Sequence, residues 1–100
     1  MRIRVRQLGG FAGEPLELGR VDTATLPADV AAALHQTVDQ AHFFDLPAVV
    51  PSDSVGADLL VYEITVEDGD RRHSVSFVED GSEAASPLRG LKTQLVRAAR

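Results

Sequence analysis

The stretch LVYEITVEDGDRRHSVSFV, residues 60–78, decides the fold. Leu60, Tyr62, Ile64 and Val66 recur at every second position, and His73, Val75 and Phe77 resume the same alternation. A period of two sends one set of side chains to a dry face and the other to water, so both runs read as half-buried strands. Between them Asp68-Gly69 offers the positive φ of a tight turn, and the stretch is a β-hairpin.

Upstream, Met1, Ile3 and Val5 alternate with Arg2, Arg4 and Arg6, which gives a first strand. Leu16 and Leu18 alternate with Glu17 and Gly19, so a second strand pairs with the first through residues 8–14, a connection longer than a tight turn. Pro27 at a first helical position opens a stripe of Val30, Ala33, Leu34, Val38 and Ala41, the face of an amphipathic helix ending near Ala41. Phe43, Phe44 and Leu46 follow as a plug for one end of the core, Pro47 stops any further helix, and residues 47–58 are one long loop. Downstream of the hairpin, Ser86 as N-cap and Pro87 in the first turn introduce a second stripe, Leu88, Leu91, Leu95 and Ala98, with Arg97 and Arg100 complementing the dipole. The order is ββαββα. It predicts a single α+β domain over residues 1–100, a two-layer sandwich with a four-stranded antiparallel sheet and two helices on one face.

Composition narrows the function. One hundred residues with 44% apolar and 25% charged side chains make one modest core. A net charge of −5 opposes nucleic acid as the main partner. No cysteine is present, which removes thiolate nucleophiles and zinc–thiolate sites. The N-terminus lacks the continuous apolar run of a secretory signal or membrane span, so the expected location is cytoplasmic, with no membrane partner.

Chemistry-bearing patterns are sparse. His35 and His42 are seven apart without an H-E-x-x-H arrangement, and His73 sits on another element, so no metal site is expected. Ser52, Ser54, Ser74 and Ser76 have no nucleophile-elbow context and no carboxylate pair is placed for acid–base work; no catalytic residue and no cofactor is assigned, and the chain reads as a non-enzyme. Arg2, Arg4 and Arg6 share the wet sheet face with Glu17, Glu63 and Glu67 and read as a cross-strand charge ladder. Gly10-Phe11-Ala12-Gly13 has the G-x-x-G spacing of KH domains but joins strands rather than helices, and G-x-G-x-x-G is absent. Two readings of that stretch stand side by side. Phe11 folds back as a lid on the core edge, or it points outward as an aromatic anchor for a partner's cleft, with Pro15 stiffening the base of the loop.

Five segments together carry a resemblance: R-x-R-V-R at 2–6, G-G-F-A-G at 9–13, D-T-A-x-L-P at 22–27, F-F-x-L-P at 43–47 and V-E-D-G…R-R-H-x-V at 66–75. In this order, along nearly the whole chain, they resemble the emfourin family. The resemblance implies a small cytoplasmic bacterial inhibitor of protealysin-type, thermolysin-like zinc metalloproteases, in which the zinc belongs to the target. Residues 48–58, with Asp53 and Asp58, are longer and more acidic than the family's proline-rich loop. The expected partner-binding residues are Leu8, Gly9, Gly10, Phe11, Ala12 and Gly13, with Phe11 or Leu8 entering the apolar pocket beside the target's zinc. If the third strand runs antiparallel to the first, the first hairpin's tip, the long loop and the segment 79–86 gather at one end as a wedge. The free chain is expected to be a monomer. The alternative is an interaction module that docks through a sheet edge or the Arg/Glu face without inhibiting anything.

Overall fold

A computed structural model describes residues 1–8, 15–50, 60–78 and 85–99. Strands β1 (Arg2–Leu8), β2 (Leu16–Asp22), β3 (Val61–Asp68) and β4 (Arg71–Val78) form one antiparallel sheet in the order β2-β1-β3-β4. Helix α1 (Ala28–Gln40) lies between β2 and β3 in sequence, and α2 (Ser86–Ala98) follows β4. This is the ββαββα, α+β arrangement that the alternation and the two stripes predict.

The period of two explains the layers. Ile3, Val5, Ile64, Val66, Val75 and Phe77 leave one face of the sheet and are each 1% exposed or less. Leu34 and Val38 of α1 and Leu88, Leu91 and Leu95 of α2 join them in one core, so the two stripes close over this face. Gly19 lets α2 approach β2: a Cβ there would lie 3.2 Å from the Ala99 Cβ, so a side chain would crowd the helix end.

Register is unbroken between β3 and β4, from Val61↔Val78 to Asp68↔Arg71. Gly69, with φ of 62°, is the first central residue of the two-residue loop, the position where type II′ turns favour glycine. Between β1 and β2 the register shifts, because Val5 pairs Gly19 while Arg6 pairs Glu17, leaving Leu18 as the extra residue of a bulge.

Local details depart from the sequence reading in three places. Pro27 is the N-cap of α1 rather than its first helical residue. Ser86 does not cap α2; Ala85 holds that position in a helical conformation, buried and with no side-chain cap bond, so the helix is entered one residue earlier. Leu60 is 41% exposed and precedes β3, because the ladder ends where Leu8, Val61 and Val78 are paired in a row.

The plug is as expected. His42 takes a left-handed conformation (φ 49°) just past α1 and swings the chain into a short 3₁₀ turn, Phe43–Asp45, which buries Phe43 and half-buries Phe44. Phe43 meets the Phe44 and His73 rings edge-on, and the Arg71 guanidinium lies 4.2 Å from the centre of the Phe44 ring. No described helix is long and apolar enough to cross a membrane.

Candidate protein-binding site

Strand direction decides what gathers where. β1 runs towards Leu8 and β2 returns from Leu16; β3 starts at Val61, which pairs Leu8, and β4 finishes at Val78, which pairs Val61. The attachment points of segments 9–14, 51–59 and 79–84 therefore lie at one end of the sheet, as the antiparallel arrangement predicts. At the opposite end the chain passes through the Gly69-Asp70 turn and out of β2 into Thr23.

Directly paired residues share a face, so the register also describes the side of the sheet away from the helices. From the turn end upward its rows are Asp22, Arg2, Glu67 and Arg72; then Arg20, Arg4, Thr65 and Ser74; then Glu17, Arg6, Glu63 and Ser76. The last row is Leu8, Val61 and Val78, all half-buried. Charge and hydroxyls thus give way to an apolar strip at the loop-bearing end.

Exposed apolar side chains reinforce this polarity. The large hydrophobic residues exposed among the described residues are Leu16 (58%), Val49 (68%) and Leu60 (41%). Leu16 opens β2 and Leu60 precedes β3, so both belong to the loop-bearing end. Val49 stands beside β4, where Val50 N–H donates to the Ser76 carbonyl and Ser76 N–H donates to the Ala48 carbonyl, each at 2.8 Å, as one parallel bridge. Val50 turns inward and is buried while Val49 faces out. Upstream, the Leu46 carbonyl and His73 Nε2 share a 2.7 Å hydrogen bond that fixes the chain on its way to this bridge. The apolar row of Leu8, Val61 and Val78 itself spans two inter-strand steps, about 10 Å at ordinary spacing.

Of the predicted binding residues, Leu8 ends β1 within the apolar row. Gly9, Gly10, Phe11, Ala12 and Gly13 lie outside the described residues, as does most of the predicted 47–58 loop. Sequence reasoning missed Leu16, Val49, Leu60, Val61 and Val78 as a group. A signal was present: Val61 and Val78 are apolar at positions where their strands' alternation calls for a polar residue.

The charge ladder is real but differently wired. The Arg6 guanidinium pairs with the Glu63 carboxylate across strands, part-buried, with Nε–H donating at 3.0 Å. Glu17, although directly opposite Arg6, accepts from Arg20 on its own strand (3.0 Å), while the Arg6 guanidinium is engaged by Glu63. Arg2 meets Asp22 at 3.8 Å and Arg72 meets Glu67 at 3.7 Å. The histidines are dispersed: His35 Nε2 is 3.1 Å from the Thr23 hydroxyl, His42 is the exposed left-handed residue, and His73 serves the Leu46 carbonyl.

Comparison with known proteins adds one finding. No curated protein and no solved structure matches the chain. The sequence model of the family described as Emfourin matches residues 5–95, nearly the whole length, from the third residue before the apolar row to the last buried leucine of α2. That span takes in the sheet from Val5 onward, the first stripe, the plug and the buried leucines of α2, and the chain belongs to the emfourin family.

Proposed function

We propose that this chain is a reversible protein inhibitor of thermolysin-like, protealysin-type zinc metalloproteases, and that its loop-bearing end occupies the protease's substrate cleft. Family membership supports the inhibitor role in general terms. The observation that carries the docking mode is the placing of the exposed Leu16 and Leu60, with the Leu8–Val61–Val78 row, at the end where three connections are attached, and of Val49 one row below it at the outer edge of β4.

Apolar surface costs free energy in water and is tolerated where a partner covers it. A cleft that recognises apolar side chains beside a catalytic metal is such a partner. Leu8, and Phe11 in the adjoining glycine-rich segment, are the anchors of this reading, with Gly9, Gly10, Ala12 and Gly13 shaping the approach. The frame below them is a sheet with both ends of the first connection fixed in strands, so docking orders fewer degrees of freedom than binding a free peptide would. The chain plays no catalytic part, and the zinc is the protease's own.

The test is a titration of purified chain into a panel of thermolysin-like proteases turning over a peptide substrate, with a serine protease as control. Inhibition competitive with substrate is expected for the metalloproteases alone. Phe11→Ala is expected to weaken it by about 2 kcal/mol with an unchanged melting temperature. Full-strength inhibition by that variant together with a lowered melting temperature would make Phe11 a core lid and leave Leu8 and its row as the contact.

A further inference from the structure

The middle of the open sheet face holds a charge that its surroundings leave unmatched. Arg2, Arg4 and Arg6 of β1, Arg20 of β2 and Arg72 of β4 share this face, half of the ten lysines and arginines in a chain whose net charge is −5. Four carboxylates accompany them, so the face carries a net charge of +1 on an acidic protein. The ion pairs Arg2–Asp22, Arg6–Glu63, Arg20–Glu17 and Arg72–Glu67 use every one of those carboxylates. Arg4 is left without one among the described residues.

Its position makes this consequential. Arg4 is half-buried in the second row, directly opposite Arg20 on one side and Thr65 on the other. Like charges directly opposite each other in a sheet repel, and an anion placed between them turns that cost into attraction. The Thr65 hydroxyl is bonded to Ser74 at 2.8 Å and brings no charge. A shallow depression of about 400 Å³ lies over this point, lined by Arg2, Arg4, Arg20, Thr65, Glu67 and Arg72.

We propose that this depression is a second docking surface, distinct from the loop-bearing end, which receives a protein segment presenting a single carboxylate flanked by uncharged or basic residues. The carboxylate sits on Arg4 with Arg20 beside it. The single charge follows from the balance of the face: its four carboxylates are all paired with arginines, so one positive charge is in excess, which one carboxylate matches and a run of carboxylates exceeds. Openness points the same way, since Arg2, Arg20 and Arg72 are 73%, 66% and 63% exposed. A small free anion needs an enclosing pocket, whereas a protein segment brings its own surface to exclude water. The proposal stands whether or not the chain inhibits a protease.

The experiment uses the full chain labelled with nitrogen-15, following backbone amides and arginine Nε–H signals. The probe is acetyl-Lys-Gly-Asp-Gly-Lys-amide, with its Asn counterpart, polyglutamate and inorganic phosphate as comparisons. Saturable shifts at Arg4 and Arg20 are expected with the Asp peptide and not with the Asn peptide. In Arg4→Gln, with its amide spectrum otherwise preserved, affinity for the Asp peptide is expected to fall about tenfold. Equal responses to both peptides, tighter binding of polyglutamate or phosphate than of the Asp peptide, or unchanged affinity in Arg4→Gln would each overturn the proposal. Should Arg4→Gln fail to fold, Arg20→Gln and the wild-type arginine signals decide it by the same criteria.

Discussion

The two hairpins of this domain are built from the same alternating pattern and differ in what closes them. β3 and β4 are joined by two residues, keep one register from end to end and contribute Ile64, Val66, Val75 and Phe77 to the core. β1 and β2 are joined through residues 9–15, slip register at Leu18, and leave β2 at the sheet edge with Val21 as its buried hydrophobic residue. A tight turn and continuous pairing make the second hairpin the frame. The first is less regular, because a bulge re-aims β2 and seven residues, 9–15, separate its strands; under the proposed function this is the hairpin that meets the partner. Stability and recognition are therefore expected to separate by hairpin, and substitutions can test that separation.

The largest effect is expected in the second hairpin. Ile64→Ala removes a fully buried side chain from the middle of β3 and should cost about 2–5 kcal/mol in urea or thermal unfolding. A loss well under that range would mean that the sheet centre is less tightly packed than its burial indicates. In the first hairpin, Leu8→Ala combined with Leu16→Ser should weaken protease inhibition by roughly 2 kcal/mol while shifting stability by less. The opposite partition would erase the distinction between the hairpins. Gly69→Val forces a β-branched residue into φ of 62° and should lower stability by about 1–2 kcal/mol with inhibition intact, read as melting temperature against inhibition constant. The smallest change is a gain. His42→Gly relieves the left-handed conformation past α1 and should raise stability by about 1 kcal/mol or less in the same melts.

Much of the frame was legible because simple periodicities specify it. Alternation at Ile3 and Val5, at Tyr62, Ile64 and Val66, and at Val75 and Phe77 named the dry face, and the spacing of Leu34 with Val38 and of Leu88, Leu91 and Leu95 named the stripes above it. Three things were not carried by local pattern. The bulge at Leu18 is set by pairing with β1, and the choice of Glu17 for Arg20 and of Glu63 for Arg6 is made among side chains that alternation alone does not rank. The bridge of Val49 to Ser76 needs the plug, the His73–Leu46 hydrogen bond and the outer edge of β4, three elements spread over the chain. Leu60 reads as one more core position and falls outside because a ladder ends where its partners end. Of the candidate binding residues, Leu8 was singled out beside the glycines, although the alternation puts it on the side of Arg2, Arg4 and Arg6 rather than of Ile3 and Val5. The strip it shares with Val61 and Val78 required the register of three strands at once.

The central claim is that the loop-bearing end meets the protease. Amide hydrogen exchange on the full chain, with and without a saturating thermolysin-like protease, addresses it residue by residue. Protection is expected at Leu8, Leu16, Val49, Leu60, Val61 and Val78, with no change at Asp68 to Arg71. Protection centred on the Gly69-Asp70 turn or on the outer surface of α1 and α2, with the loop-bearing end unchanged, would contradict the account.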